Sequence, residues 1–148
     1  MKFPASVIKF EYQAPVGSVV VWTDSDFAGC KESRKSTGGG AMVMGNHLIR
    51  SWSLTQSIIA LSSGEAEYYS LVKGCSNGLG LKAMNMELGV DMELQINTDA
   101  SAAIGIAKRT GFGKIRHIDV SQLWIQEMIS RGKIKVRKVS LKLACVMH

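Results

Sequence analysis

Two hydrophobic runs in this sequence end on a threonine and an aspartate: Ser18-Val19-Val20-Val21-Trp22-Thr23-Asp24 and Leu94-Gln95-Ile96-Asn97-Thr98-Asp99. Between them, Ser62-Ser63-Gly64-Glu65-Ala66-Glu67 opens a stretch of helical spacing with two glutamates near its start. In sheets flanked by helices, groups just beyond the strand ends converge on a shared crevice. Carboxylates gathered there repel one another unless a cation neutralises them. Hard oxygen ligands of this kind suit Mg²⁺ or Mn²⁺, which keep several waters and accept phosphate oxygens as further ligands. Two such ions about 4 Å apart can activate a water and steady the leaving oxygen of a phosphodiester. Each acid taken alone has a plainer reading. An aspartate after a strand is commonly a turn or cap residue, and a glutamate in a first helical turn complements the helix dipole. Spacing leaves both Glu65 and Glu67 open as the partner of the two aspartates.

The elements that must position these acids can be read from hydrophobic period. Residues 18–23 form a β-branched, aromatic strand, Ala41–Met44 a second strand and Leu48–Trp52 a third, joined by a Gly45-Asn46 hairpin turn. Gly38-Gly39-Gly40 permits close backbone approach. Ser62-x-x-Glu65 has the form of a capping box, and the helix behind it runs to Gly89. Gly74, Gly78 and Gly80 weaken its middle, so it reads as one kinked helix or two. Residues 92–98 alternate as a half-buried strand, and Asp99 is placed to cap a helix over 100–108. A helix over 118–130 and a strand over 133–139 complete the order βββ-α-β-α-α-β, an α/β domain with a mixed sheet. The three tryptophans are spaced like core aromatics, with Trp52 also near a candidate nucleic-acid groove, and Met84, Met86 and Met92 read as core filling.

Composition sets the frame. The 148 residues are 46% apolar and 20% charged, enough for one domain with a real core and too apolar for a disordered chain. No uninterrupted apolar run reaches the length of a membrane span, and residues 1–4 lack the apolar stretch of a secretory signal. Three scattered cysteines make neither a disulfide framework nor a metal-ligand spacing, which points to a reducing, cytoplasmic or nuclear compartment. Net charge is +6, but it is uneven: residues 108–142 hold ten basic residues against Asp119 and Glu127, a balance of +8 that leaves −2 elsewhere. A basic lobe beside a mildly acidic one fits a polyanion partner, with the acids free for other work, although a solvated basic surface fits the same count. Ser36-Thr37-Gly38-Gly39-Gly40 lacks the Gly-Lys-Ser/Thr ending of a phosphate loop, and Gly78-x-Gly80 lacks the third glycine of a dinucleotide site.

Several stretches together resemble the RNase H domain of copia-type retrotransposon polyproteins. They are Trp22-Thr23-Asp24-Ser25-Asp26-Phe27-Ala28-Gly29 with Arg34–Gly39, Ser51-Trp52-Ser53 through Gln56, and Ala60–Tyr68. Thr98–Ile104 and Arg116-His117-Ile118-Asp119-Val120 continue the match, in the family's order, over about residues 17–139. The resemblance implies a ribonuclease H-like fold and a metal-dependent endonuclease that hydrolyses the RNA strand of RNA–DNA hybrids. It implies that Asp24, Glu67 and Asp99 are the catalytic, metal-holding acids, that two Mg²⁺ (or Mn²⁺) ions serve them, and that a reverse-transcriptase domain of the same polyprotein is a partner. Asp26 and Glu65 then fall to structural roles, Glu65 as the capping-box residue. Lys114, Arg116, Lys133, Lys135 and Arg137 are the candidate contacts to the nucleic-acid backbone. His117 and Asp119 are auxiliary candidates, His117 for protonating a leaving group or aiding product release.

On this reading residues 1–16 are a leader or linker, 17–139 the RNase H-like domain and 140–148 a divergent tail. Family members carry an Ala-Asp pair in a final helix, whose aspartate is a fourth metal ligand. Residues 140–148 contain no acid. The final helix is therefore expected to be missing and the second ion's site to be incomplete. The competing expectation is a catalytically degenerate domain that only binds nucleic acid, or a remnant without function.

Overall fold

The computed structural model describes residues 7–110, 118 and 120–140. The elements follow the expected order: β1 (Ser18–Asp26), β2 (Thr37–Met44), β3 (His47–Thr55), α1 (Ser63–Glu87), β4 (Glu93–Thr98), α2 (Ser101–Ala107), a 3₁₀ turn at Val120–Gln122, α3 (Trp124–Ser130) and β5 (Lys135–Lys138). The five strands form one mixed sheet in the order β3-β2-β1-β4-β5. The β1–β2 and β2–β3 pairs are antiparallel, while β1–β4 and β4–β5 are parallel. Such a sheet needs a crossover between β1 and β4, and α1 supplies it.

Alternation along β1 turns Val19, Val21 and Thr23 inward, and Leu94, Ile96 and Thr98 do the same on β4. Helix α1 lies against this face through Ala66, Leu71, Val72 and Cys75. It is a single helix of 25 residues, not two. The glycines expected to weaken it divide by position. A Cβ on Gly74 would stand 2.4 Å from Thr23 Cγ2, and one on Gly78 would stand 2.5 Å from Leu94 Cδ1. These two residues let the helix axis approach the sheet closely, whereas Gly80 faces open space. Gly64 allows a similar close approach to α2 at the helix start, where a Cβ would meet that of Ala102 at 2.8 Å.

Strand β2 begins at Thr37, earlier than hydrophobicity alone indicated, because the three glycines belong to it. Gly38 lies under Ser70 and Gly40 under the Trp52 ring, at would-be Cβ distances of 2.5 and 2.2 Å. The turn at Gly45 (φ +60) and Asn46 joins β2 to β3 as expected. Residues 7–16 carry no helix or strand, yet Gln13 clasps this turn, donating through Nε2 to Met44 O and accepting from Asn46 N. The expected 118–130 helix is shorter, a 3₁₀ turn followed by α3, and Ile125 and Gln126 are its buried residues. Met84 and Met86 are more than half exposed at the end of α1, contrary to a role in the core; Met92 is buried. The three tryptophans are half-buried rather than central. No helix of the described residues is long and apolar enough to cross a membrane. Residues 141–148 lie outside the described residues.

Candidate metal centre

The parallel register that pairs Trp22 with Asn97 carries Asp24 and Asp99 to the same level, two residues beyond that pair. Sequence separation is thereby converted into adjacency by backbone hydrogen bonding alone. The third acid arrives on α1. Gly74 rests on Thr23, the residue before Asp24, and Glu67 lies two helical turns back along the same helix. One carboxylate oxygen each from Asp24, Glu67 and Asp99 falls within 4.8 Å of the other two. Oxygens on an octahedral Mg²⁺ ion are ~4.2 Å apart when opposite and about 3 Å apart when adjacent, so side-chain movements that close these separations by up to about 2 Å would seat all three on one ion.

The surroundings of each acid differ. Asp24 and Asp99 are exposed, and Asp24 Oδ1 accepts a hydrogen bond from Ser25 N at 2.8 Å. Glu67 is half-buried, and its Oε2 is shielded from solvent with no hydrogen-bond partner among the described residues. Burial pushes its pKa up to about 7; the neighbouring Ser25 hydroxyl opposes this, and the charges of Asp24 and Asp99 add to it. An orphaned, buried carboxylate oxygen facing two further carboxylates is an environment that a divalent cation satisfies and a proton satisfies only in part.

Glu65 takes the structural role. Ser62 caps α1 by accepting from Glu65 N, and the Glu65 carboxylate, buried, accepts from Leu61 N at 2.9 Å and from the Tyr69 hydroxyl at 2.6 Å. Its side chain reaches one residue beyond the cap itself, a variant of the expected box. Asp99, by contrast, does not cap α2. Ala100 occupies the cap position without a side-chain hydrogen bond, and its amide turns back to Thr98 Oγ1. The Asp99 carboxylate belongs to the acid cluster instead.

Of the expected backbone-binding cations, Lys133 and Arg137 are exposed and make no ion pair among the described residues. Lys135 is held by Glu93 at 2.7 Å, which lowers the Glu93 pKa. Lys114, Arg116, His117 and Asp119 lie outside the described residues. Two residues without an expected role emerge. Lys138, level with Thr98 in the β4–β5 register, donates to Ser101 Oγ just past Asp99. Gln56 follows β3 and ties it to α1, donating through Nε2 to Ala66 O and Ser70 Oγ. The sequence signals for Gln56 were its place directly after a strand and within the stretch Ser51–Gln56, and neither names a partner.

The sheet order, the crossover helix and three acids at one strand-end rim define an α/β domain of ribonuclease H fold. The same fold occurs in LC11-RNase H1, solved in complex with an RNA/DNA hybrid (TM-score 0.54, 13% identity, covering 85% of this chain and 88% of that one). It occurs again in the prototype foamy virus protease–reverse transcriptase (TM-score 0.59, 14% identity, 87% of this chain and 18% of that one). No family model matches the chain. Its homologues are the retrovirus-related Pol polyproteins of plant transposons. It is 34% identical over 121 residues to that of transposon TNT 1-94 from Nicotiana tabacum, covering 80% of this chain. The chain spans 9% of the length of that polyprotein.

Proposed function

We propose that this domain is a metal-dependent endonuclease that hydrolyses the RNA strand of RNA–DNA hybrids. The observation that carries the reading is the convergence of Asp24, Glu67 and Asp99, from three separate elements, around an orphaned Glu67 oxygen. Mg²⁺ or Mn²⁺ held there would supply an activated water and charge stabilisation at the leaving oxygen. The chain's own part is to hold the carboxylates at the rim, to release the Glu67 proton, and to grip the backbone. Arg137 on the edge strand and Lys133 in the turn before it supply that grip, with Lys114 and Arg116 as further candidates. An A-form-like hybrid is then read by shape and 2′-hydroxyls rather than by base sequence. A reverse-transcriptase domain of the same polyprotein would add affinity, a partnership supported by the Pol homology and by the foamy-virus neighbour.

A second reading, binding without turnover, is favoured by one observation: residues 140–148 offer no acid as a fourth ligand. Cleavage of a labelled RNA–DNA hybrid in Mg²⁺ or Mn²⁺, beside Asp99→Asn, separates the two. Loss of an outer-shell partner costs a metal site 10–100-fold, so removing a ligand should lower the cleavage rate at least about 100-fold. A folded parent chain that binds the hybrid and leaves it intact would establish the binding-only reading.

A further inference from the structure

Beside the acid rim, on the α1 side of the sheet, a groove of about 420 Å³ runs between β3, α1 and the start of α3. Its volume is within the range of small-ligand sites. Trp52 and Trp124 both line it, half-buried, so each has aromatic surface not consumed by the core. Gln56 lines it too. Its amide nitrogen is committed to Ala66 O and Ser70 Oγ, while Oε1 is buried and has no donor among the described residues. Lys73 is the single charged residue of the lining; it is exposed and makes no ion pair among the described residues. The lining of the groove also neighbours residues of the acid rim. Gly38, in its lining, adjoins Gly39, which pairs with Asp24, and Ser70 lies one helical turn from Glu67.

These features specify a ligand: a flat aromatic group with an N–H donor, attached to a negative charge. Resting on the hybrid-nuclease reading above, we propose that this groove holds an unpaired nucleotide of a single-stranded nucleic-acid segment, its base against Trp52 or Trp124 and its phosphate on Lys73. Every nucleobase has a π-face and an N–H on its pairing edge, so the site takes a base without selecting a sequence. Pairing within a duplex buries that edge, which is why the occupant is an unpaired residue and the groove serves single-stranded flanks of a hybrid.

The test is binding of the full chain to a fluorescein-labelled six-residue oligodeoxyadenylate, followed by anisotropy in EDTA, where no cleavage interferes. A second probe of equal length carries abasic sites throughout and keeps every phosphate. The abasic strand should bind about tenfold more weakly, since each stacked base carries much of the affinity of such sites. Lys73→Gln, at an exposed position that leaves the core intact, should weaken binding of the normal strand and reduce the salt slope by about one. Equal affinity for the two strands, or a Lys73→Gln chain that binds like the parent, overturns the proposal. The result is independent of turnover. A chain that discriminates the two strands without cleaving hybrids keeps the groove and loses the nuclease, and a chain that cleaves without discriminating does the reverse.

Discussion

Glu67 ionises against two carboxylates in a partly dry setting, so its proton is linked to whatever cation the cluster accepts. The direction follows from its raised pKa. Below the ordinary carboxylate range Glu67 is neutral in both folded and unfolded chains. As pH rises from about 4.5 through about 7, the unfolded chain loses this proton first, and the metal-free fold is progressively destabilised. Urea midpoints in EDTA should therefore fall across that interval. Glu67→Gln should flatten the fall, and Mg²⁺ should counter it by binding the ionised form. A midpoint in EDTA that does not depend on Glu67 would refute the linkage. At this scale the sequence was legible where a residue's role depends on its place at an element end. Ser62 with Glu65 stands at a helix start and its capping role could be read there; Asp99 directly after β4, and Asp24 two residues inside the end of β1, could be placed on one rim from the close of two hydrophobic runs. Gln56 could not be read in this way, because its partners Ala66 and Ser70 are chosen by the packing of α1 on the sheet.

At the scale of elements, the siting of α1 on β1 fixes the geometry of the acids, and glycines set the clearance. Gly→Ala in a helix interior gains up to about 1 kcal/mol of intrinsic propensity, whereas overpacking a tight contact costs about 1–3 kcal/mol. At Gly78 the new methyl would meet Leu94 Cδ1 at 2.5 Å, so the packing cost wins. At Gly80 nothing lies within 4 Å, so propensity wins. Gly78→Ala should lower stability by about 1 kcal/mol and Gly80→Ala raise it by about 0.5–1 kcal/mol in denaturant titrations. Opposite signs for two substitutions two residues apart would be hard to obtain from propensity alone. This contrast explains what the sequence concealed. Local rules see three equivalent helix-weakening glycines, and only the apposed strands reveal that two of them are contacts. The same holds for Gly38 and Gly40, whose place within β2 is due to Ser70 and Trp52 standing over them.

Across the whole molecule, strand order distributes the charge. β5 is an edge strand, and the basic residues on it and in the turn before it are not equivalent, since Lys135 is already committed to Glu93 while Arg137 on the strand and Lys133 before it make no ion pair among the described residues. Lys133→Gln and Arg137→Gln should each reduce the slope of log affinity against log salt for an RNA–DNA hybrid by about one, and Lys135→Gln by much less. Equal effects at all three positions would mean that the Lys135–Glu93 pair opens on binding. Alternation made this basic edge visible in the sequence, but the ion pair joins residues of different strands and no local pattern announces it.

The parallel pairing of β1 with β4 has a consequence of another kind. Asp24 and Asp99 are brought abreast by the closure of a loop that holds both hairpin strands and the whole of α1. The entropic cost of that closure must be met before the two carboxylates share any volume, and their mutual repulsion is incurred at the same moment. No local segment of the chain therefore carries even a partial centre, and an ion that binds the three acids acts as a clasp on the longest loop of the fold. The affinity of the site for its cation is in this sense a gauge of tertiary closure, and whatever loosens the crossover is registered at the acids first.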